Sequence, residues 1–330
     1  MRALITGGAG FIGSHLAERI LQAGGEVLLL DNLSTGSTEN VGHLKKYDRM
    51  KFFVGAVEDR ALLAELVDQS DIIFHLAAAV GVRLIVESPV RTIQTNVAGT
   101  HFVLEAAAQK RKLVFLASSS EVYGKNANVP LDEDADLVLG PTTKGRWSYA
   151  ASKAVDEFLA LAYWKEKRLP VIVGRFFNTV GPRQTERYGM VVPTLIGQAL
   201  AGLPLTVFGS GKQSRCFCDV QDCVQAILGL SHTVRAVGQV INVGSDQETT
   251  IEGLAELIRE RTASSSPIRH IPYERAYPPG FEDVHRRVPS LEKLERLTGF
   301  RPRIALTDTI DRVARFVAGK EEMRLATATQ

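Results

Sequence analysis

Three observations predict an α/β fold with a Rossmann-type, doubly wound parallel sheet and a smaller C-terminal substrate-binding lobe. Short apolar runs alternate with longer segments of helical period through the first half of the chain. A glycine-rich turn joins the first run to the first helical segment, and an acidic residue closes the second run. After residue 178 the rhythm shortens and Gly, Pro and Arg become more frequent.

Arg2–Thr6, Glu26–Leu30, Lys51–Val54, Asp71–Leu76 and Lys112–Ala117 read as strands, being short and rich in apolar residues. Between them Ile12–Ala23, Arg60–Val67 and Val90–Gln109 repeat apolar residues at helical spacing. Alternation of this kind implies right-handed crossovers and hence a parallel sheet. A helix at Tyr149–Lys167 and a strand at Val171–Phe176 extend it. In the second half VGQVINVG (237–244) reads as a strand returning to the sheet, flanked by turn residues. The reading therefore gives a nucleotide-binding domain at 1–177, with 216–245 returning to it, and a lobe drawn mainly from 178–330. TASSSP (262–267) predicts a loop, and the tail after Gly319, which lacks an apolar period, predicts a frayed end.

With 330 residues, 45% hydrophobic and 23% charged, the chain can bury a core without disulfide or metal staples, which excludes disordered and fibrous classes. The 39 basic and 37 acidic residues form no long run of either sign, so no nucleic-acid partner is expected and any anion site must be local. No apolar stretch is long enough to span a bilayer, so no membrane partner is expected, and MRALITGG lacks the pattern of a signal peptide. Cys216, Cys218 and Cys223, odd in number, suit a reducing, cytoplasmic setting. They lack ligand spacing and a nearby histidine, so a buried apolar role is expected and no metal.

LITGGAGFIGSHLAERI sets Gly7, Gly10 and Gly13 in G-x-x-G-x-x-G spacing between the first strand and the first helix. Glycine there permits a tight turn, close approach of backbone N–H groups to a pyrophosphate and packing of helix on strand. Asp31 follows Gly13 by 18 residues, where a carboxylate can accept from both adenosine ribose hydroxyls. It would repel a 2′-phosphate, and no arginine follows in DNLSTG, so NAD is favoured over NADP. WSYAASKAVDEF places Tyr149 and Lys153 one helical turn apart. An ammonium so placed should pull the phenol down from its usual pKa of about 10 and make it a usable base.

The chain resembles the extended short-chain dehydrogenase/reductases that modify nucleotide sugars, the UDP-glucuronate decarboxylase and UDP-sugar 4-epimerase group. The resemblance spans nearly its whole length, through TGGAGFIGS, FHLAA (74–78), NVAGT (96–100), SSSEVYG (118–124), YAASK (149–153), RFFNTVGPR (175–183), PLTVFGSGKQSR (204–215) and HRRVP (285–289). It implies NAD held by Gly7, Gly10, Phe11, Ile12, Gly13, Asp31, Asn32, Leu76, Ala77, Ala78, Asn96, Tyr149 and Lys153. It also implies that Ser119 joins Tyr149, the base at the sugar 4-hydroxyl, and that Lys153 holds the nicotinamide ribose. A UDP-sugar would be oxidised at C4 to a 4-keto intermediate, its diphosphate bound by Asn178, Arg215 and Arg287. A homodimer would form through the helices Val90–Gln109 and Tyr149–Lys167. His75 is expected to be structural beside the cofactor, and His15 packed or solvated. Arg301 and Arg312 are expected to be solvated charges.

The second chemical step divides the subfamilies. Nucleotide-sugar 4,6-dehydratases resembling this chain carry Asp-Glu where Ser120–Glu121 stands, although the GDP-mannose branch has Ser-Glu; typical 4-epimerases lack the carboxylate. UDP-glucuronate decarboxylases resemble it in three features: Glu121, with a catalytic part at C5; Arg146, three residues before the tyrosine; and the ending matched by Tyr277, Gly280, Phe281, Asp283, Arg287 and Pro289. The leading reading is thus a UDP-glucuronate decarboxylase forming UDP-xylose or a UDP-4-keto-pentose, with Arg146 and Tyr277 at the substrate. The loop AAAVGVRLIVESP favours the alternative, a UDP-hexose or UDP-uronate 4-epimerase. A GDP-mannose 4,6-dehydratase-like enzyme and a catalytically silent NAD-binding protein come behind. Two positions depart from the decarboxylase pattern. Ile85 replaces a tyrosine, leaving Arg83 to substitute, and Ala56 replaces an acid near the adenine, leaving Glu58 or Asp59.

Overall fold

The computed structural model describes residues 1–79, 88–185, 190–276, 282 and 284–328, with side chains described as far as residue 322. Its centre is a parallel sheet of seven strands: β1 (Arg2–Thr6), β2 (Glu26–Asp31), β3 (Met50–Val54), β4 (Ile72–His75), β5 (Leu113–Ser119), β6 (Val171–Phe176) and, after the short strands of the lobe, β11 (Gln239–Val243). The spatial order is β11-β6-β5-β4-β1-β2-β3. The order reverses beside β1, so the ends of β1 and β4 open a crevice at the switch point, where α/β sheets bind ligands.

Burial on both faces explains why the strands read as near-continuous apolar runs. Leu4, Leu28, Ile73, Val114 and Val173 point to one side, under α2 (Arg60–Gln69), α3 (Pro89–Lys110) and α4 (Trp147–Lys167). Ile5, Leu29, Phe74, Phe115 and Ile241 point to the other, under α1 (Phe11–Gln22), α6 (Val220–Ser231) and α9 (Glu292–Thr298). The alternation of neighbouring residues between the two cores follows from the period of two along a strand.

The lobe has its own core, built on α5 (Val191–Leu200), α7 (Ile251–Arg261) and α10 (Leu306–Ala328). Three two-stranded ladders brace it: β7 (Thr179–Val180) with β10 (Cys218–Asp219), β8 (Leu205–Phe208) with β13 (Ile268–Ile271), and β9 (Ser214–Cys216) with β12 (Glu248–Thr250). A one-turn helix, α8 (Tyr273–Ala276), follows β13.

Two expectations are corrected here. The tail after Gly319 is helical to Ala328, because Lys320, Glu321 and Glu322 are good helix formers and Lys320 Nζ reaches Glu39 at 2.8 Å. Arg312 is not a solvated charge: it pairs with Asp219, whose side chain is fully buried at the head of α6. Arg301 is half-exposed but ion-paired with Asp246 and Glu295, and Arg286 lies against Glu248. All three cysteines are free and buried. Among the described residues no helix is long and apolar enough to cross a membrane.

Candidate active site

The glycine-rich turn closes against β2 and β4. Gly7 has φ +71° and donates to Leu30 O at 2.8 Å; a Cβ on it would lie 2.8 Å from Ala77 N. A Cβ on Gly13 would lie 2.2 Å from Gly7 O, so helix and turn meet at a distance only glycine permits. Gly10 caps α1 without a side-chain bond, and the first turn of the helix, where Phe11 and Ile12 sit, holds no acid. Its free N–H groups and positive dipole end therefore face the crevice unopposed.

Asp31, at the end of β2, is nearly buried beside this turn. Its Oδ2 accepts from Ala9 N–H at 2.9 Å and its Oδ1 from Leu33 N–H at 2.8 Å. Burial raises its pKa, and the backbone donors at Leu33, Ala9 and Gly10 work against that rise. Asn32 next to it accepts from Ser34 N–H at 3.1 Å. Asp59 is committed elsewhere, capping α2 by accepting from Leu62 N–H at 3.1 Å, so of the two acids considered near the adenine only Glu58 is left.

The segment Leu76–Ala78 continues β4 along the crevice. Ala77 N–H donates to Thr6 Oγ1 at 3.3 Å, and Ala79 N–H to Asn96 Oδ1 at 2.9 Å. Asn96 Nδ2 then donates to Ser152 Oγ at 3.1 Å, and Ser152 Oγ to Tyr149 O at 2.8 Å. Asn96 is buried in this arrangement and ties the β4 loop to α4. His75 lies wholly inside, Nδ1 2.7 Å from Thr6 Oγ1 and Nε2 3.2 Å from Thr100 Oγ1; burial, with the nearby Lys153 charge, lowers its pKa to about 3. It is a neutral structural group. His15 is packed too, 2.9 Å from Pro182 O and held at about 4 chiefly by burial.

At the end of β5, Ser119 Oγ accepts from Glu121 N–H at 3.2 Å and hydrogen-bonds the Tyr149 phenol. The strand-end serine thus both caps the 3₁₀ turn Ser120–Tyr123 and meets the tyrosine. Tyr149 and Lys153 share one side of α4, but Lys153 does not bring the phenol down. Burial pushes the Tyr149 phenol up, Ser119 opposes the rise, and the Glu121 and Asp156 charges add to it. Lys153 Nζ instead lies 2.8 Å from Asp156 Oδ2. This corrects the expectation that the pair alone would lower the phenol.

Glu121 is the centre of an arginine cluster. Arg287 Nη1 donates to its Oε1 at 2.5 Å, and Arg146 Nη2 is 3.7 Å from its Oε2. Arg146 stands at the start of α4 with its guanidinium 5.2 Å over the Trp147 ring. Arg215, on β9, donates to Val284 O at 2.8 Å and adds its charge to the cluster. Partial burial pushes the Glu121 carboxyl up, but Arg287, Arg146 and Arg215 together outweigh it and hold it at about 2. Arg287 is buried, and its Nε and Nη2 have no hydrogen-bond partner among the described residues. That free edge is the geometry with which a guanidinium grips a carboxylate or phosphate. Asn178, between β6 and β7, accepts Cys218 N–H on its carbonyl at 2.9 Å. Tyr277, Arg83 and Ile85 lie outside the described residues, as does most of the loop that favoured the epimerase reading.

Sequence reasoning brought the turn, Asp31, Ser119, Tyr149, Lys153, Glu121, Arg146, Arg215 and Arg287 into view. It missed Asp156, although the Lys153–Asp156 spacing is that of helical neighbours; burial was the hidden part.

Comparison with known proteins identifies the family. A family model described as GDP-mannose 4,6 dehydratase matches residues 4–313. The chain is 42% identical over 305 residues to a UDP-N-acetyl-alpha-D-glucosaminuronate decarboxylase of Bacillus cytotoxicus, covering 92% of this chain and 94% of that protein. It is 34% identical over 321 residues to UDP-glucuronic acid decarboxylase 1 of Danio rerio, covering 97% and 73%. Among solved structures it resembles the UDP-glucuronic acid 4-epimerase of Bacillus cereus in complex with UDP-glucuronic acid and NAD, with TM-score 0.87, 26% identity and coverage of 97% and 100%. With the glycine turn at the end of β1 and Ser119 bonded to Tyr149 at the end of β5, the chain belongs to the GDP-mannose 4,6-dehydratase family of extended short-chain dehydrogenase/reductases.

Proposed function

We propose that the chain is an NAD-dependent decarboxylase of UDP-linked hexuronates, either glucuronate or its 2-acetamido form. The observation that carries this is Glu121, held ionised by Arg287, Arg146 and Arg215 one turn from the Ser119–Tyr149 pair. The names of the relatives at 42% and 34% identity support it.

The turn fits a dinucleotide. Gly7 and Gly13 leave no room for a Cβ, α1 starts without a competing acid, and Asp31 sits at the ribose end. NAD bound there would supply hydride exchange at sugar C4, which makes a hexuronate a β-keto acid. Tyr149 takes the proton of the C4 hydroxyl, with Ser119 hydrogen-bonded to both phenol and substrate oxygen. Arg287 offers its free Nε–Nη2 edge to an anionic group of the sugar nucleotide. When carbon dioxide leaves, the bond between C5 and the carboxyl breaks and its electron pair passes into the 4-carbonyl as an enolate. A carboxyl at about 2 holds no proton to give at neutral pH. Glu121 therefore orients Arg287 and a water; the water's proton reaches C5, and the hydroxide left behind combines with the released carbon dioxide as bicarbonate.

A 4-epimerase is the second reading, supported by the fold likeness to the Bacillus cereus enzyme. Incubation with NAD and each UDP-hexuronate, with chromatography of the products, separates the two. The proposal expects a UDP-pentose or its 4-keto form; a C4-epimeric UDP-hexuronate as sole product overturns it.

The partner of the folded chain is inferred to be a second copy. α3 and α4 pack together and leave Val90 67% and Phe158 70% exposed, with Ile93 and Val155 beside them. Such a stripe suits a four-helix interface. Phe158→Asp should convert the dimer to a monomer in sedimentation; a wild type that is already monomeric contradicts the inference.

A further inference from the structure

Lys153 and Asp156 form an ion pair inside the protein, three residues apart on α4. Nζ and Oδ2 are 2.8 Å apart, and the side chains are 2% and 0% exposed. Asp156 Oδ1 is buried with no hydrogen-bond partner among the described residues. A buried pair whose second carboxylate oxygen stays unpaired, with only the Thr100 hydroxyl to help the carboxylate, costs desolvation that its attraction barely offsets, so it is poor evidence for a purely stabilising role. Its position is informative: Lys153 is the cation beside the base Tyr149.

We propose that Asp156 is a positioning residue, anchoring one of the three donors of the Lys153 ammonium and setting the pH at which Tyr149 works as a base. The proposal rests on the reading of Tyr149 and Lys153 as catalytic groups. With one N–H of the ammonium bound to Asp156, two donors are left for the ribose that a bound cofactor would bring. The Asp156 charge also raises the Tyr149 phenol, in the direction opposite to that in which an ammonium acts. The groups facing this cluster are few. β4 contributes His75, which is neutral, and the turn after β5 contributes ionised Glu121. α3 contributes only the Thr100 hydroxyl, which stabilises the Asp156 carboxylate, and α4 adds Glu157. Glu157 is itself paired with Arg175 at 2.8 Å, and Glu121 with Arg287. Asp156 is thus the anion whose charge is matched by Lys153 alone.

Asp156→Asn keeps an acceptor for Lys153 and deletes the charge. The uncancelled ammonium should then favour the phenolate, moving the rising limb of the pH–kcat/KM profile for UDP-hexuronate to lower pH by about one unit. The ultraviolet tyrosinate titration that Tyr149→Phe removes should move by the same amount, with no substrate present. A limb and a titration both left in place, with activity lowered evenly at all pH values, overturn the proposal. The pairing is tested separately by thermal unfolding. Lys153→Met should lower the midpoint by stranding Asp156, and the double variant Lys153→Met/Asp156→Leu should recover most of the loss; additive losses overturn it. If wild-type protein turns over no uronate, the decarboxylase reading falls, while the tyrosinate titration and the unfolding cycle still decide the role of Asp156.

Discussion

Glu121 and Tyr149 lie side by side, yet their environments drive them to opposite ends of the pH scale. Three guanidiniums hold the carboxyl at about 2, while burial raises the phenol. The ionised group can orient and repel but not donate, and the neutral phenol must lose its proton before it can accept one. Two expected outcomes follow at this scale. Tyr149→Phe should cut turnover on the order of 10²–10⁴-fold, and calorimetric titration should show NAD binding within a small factor of wild type. Glu121→Gln should separate the two chemical steps: absorbance of reduced cofactor should still appear with UDP-hexuronate, but carbon dioxide release should fall on the order of 10²-fold. Equal loss of both signals would remove Glu121 from the second step.

The strand–turn–helix unit that starts the chain shows how much an element can carry. Gly13 lets α1 close on Gly7 O, where a Cβ would sit at 2.2 Å. Gly13→Ala should therefore lower the unfolding midpoint and weaken NAD binding together, measured by thermal melts with and without NAD; unchanged ligand stabilisation would show that the turn is not the phosphate site. This unit was legible because its requirements are local: strand period, glycine spacing and the acid closing β2. The strands of the sheet were legible for the same reason, each being a short, mostly apolar run; the inner ones are buried on both faces, while β3 at the edge is only partly covered. The lobe was less so. α5 and α7 are short helices buried by contacts distant in sequence, and no local signal says which elements they pack against. Site residues followed the same rule. Tyr149, Lys153 and Glu121 sit in recognisable strings, whereas the meeting of Glu121 with Arg287, 166 residues away, exists only once the lobe has folded onto the sheet.

The molecule as a whole places two buried neutral histidines where unfolding would expose them. His15 is held at about 4 and His75 at about 3, against an ordinary 6.5. Below pH 6.5 the unfolded chain binds protons there that the native protein does not, so these sites make stability fall as pH falls toward 4. Each contributes up to about 1.4 kcal/mol per pH unit. Calorimetry at pH 5 in buffers of different ionisation enthalpy should show proton uptake on unfolding, and His15→Gln should remove about one proton of it. Beyond stability, the fold brings a two-faced sheet, a glycine turn and an arginine-bearing lobe around one crevice, and the central claim is what that crevice does to a uronate. The most direct test feeds the protein NAD and a UDP-hexuronate labelled at the sugar carboxyl, and follows the label by magnetic resonance. Decarboxylation predicts the label in carbon dioxide and bicarbonate, with an unlabelled UDP-pentose or 4-keto-pentose in equal amount; label retained in a C4-epimeric UDP-hexuronate would contradict it.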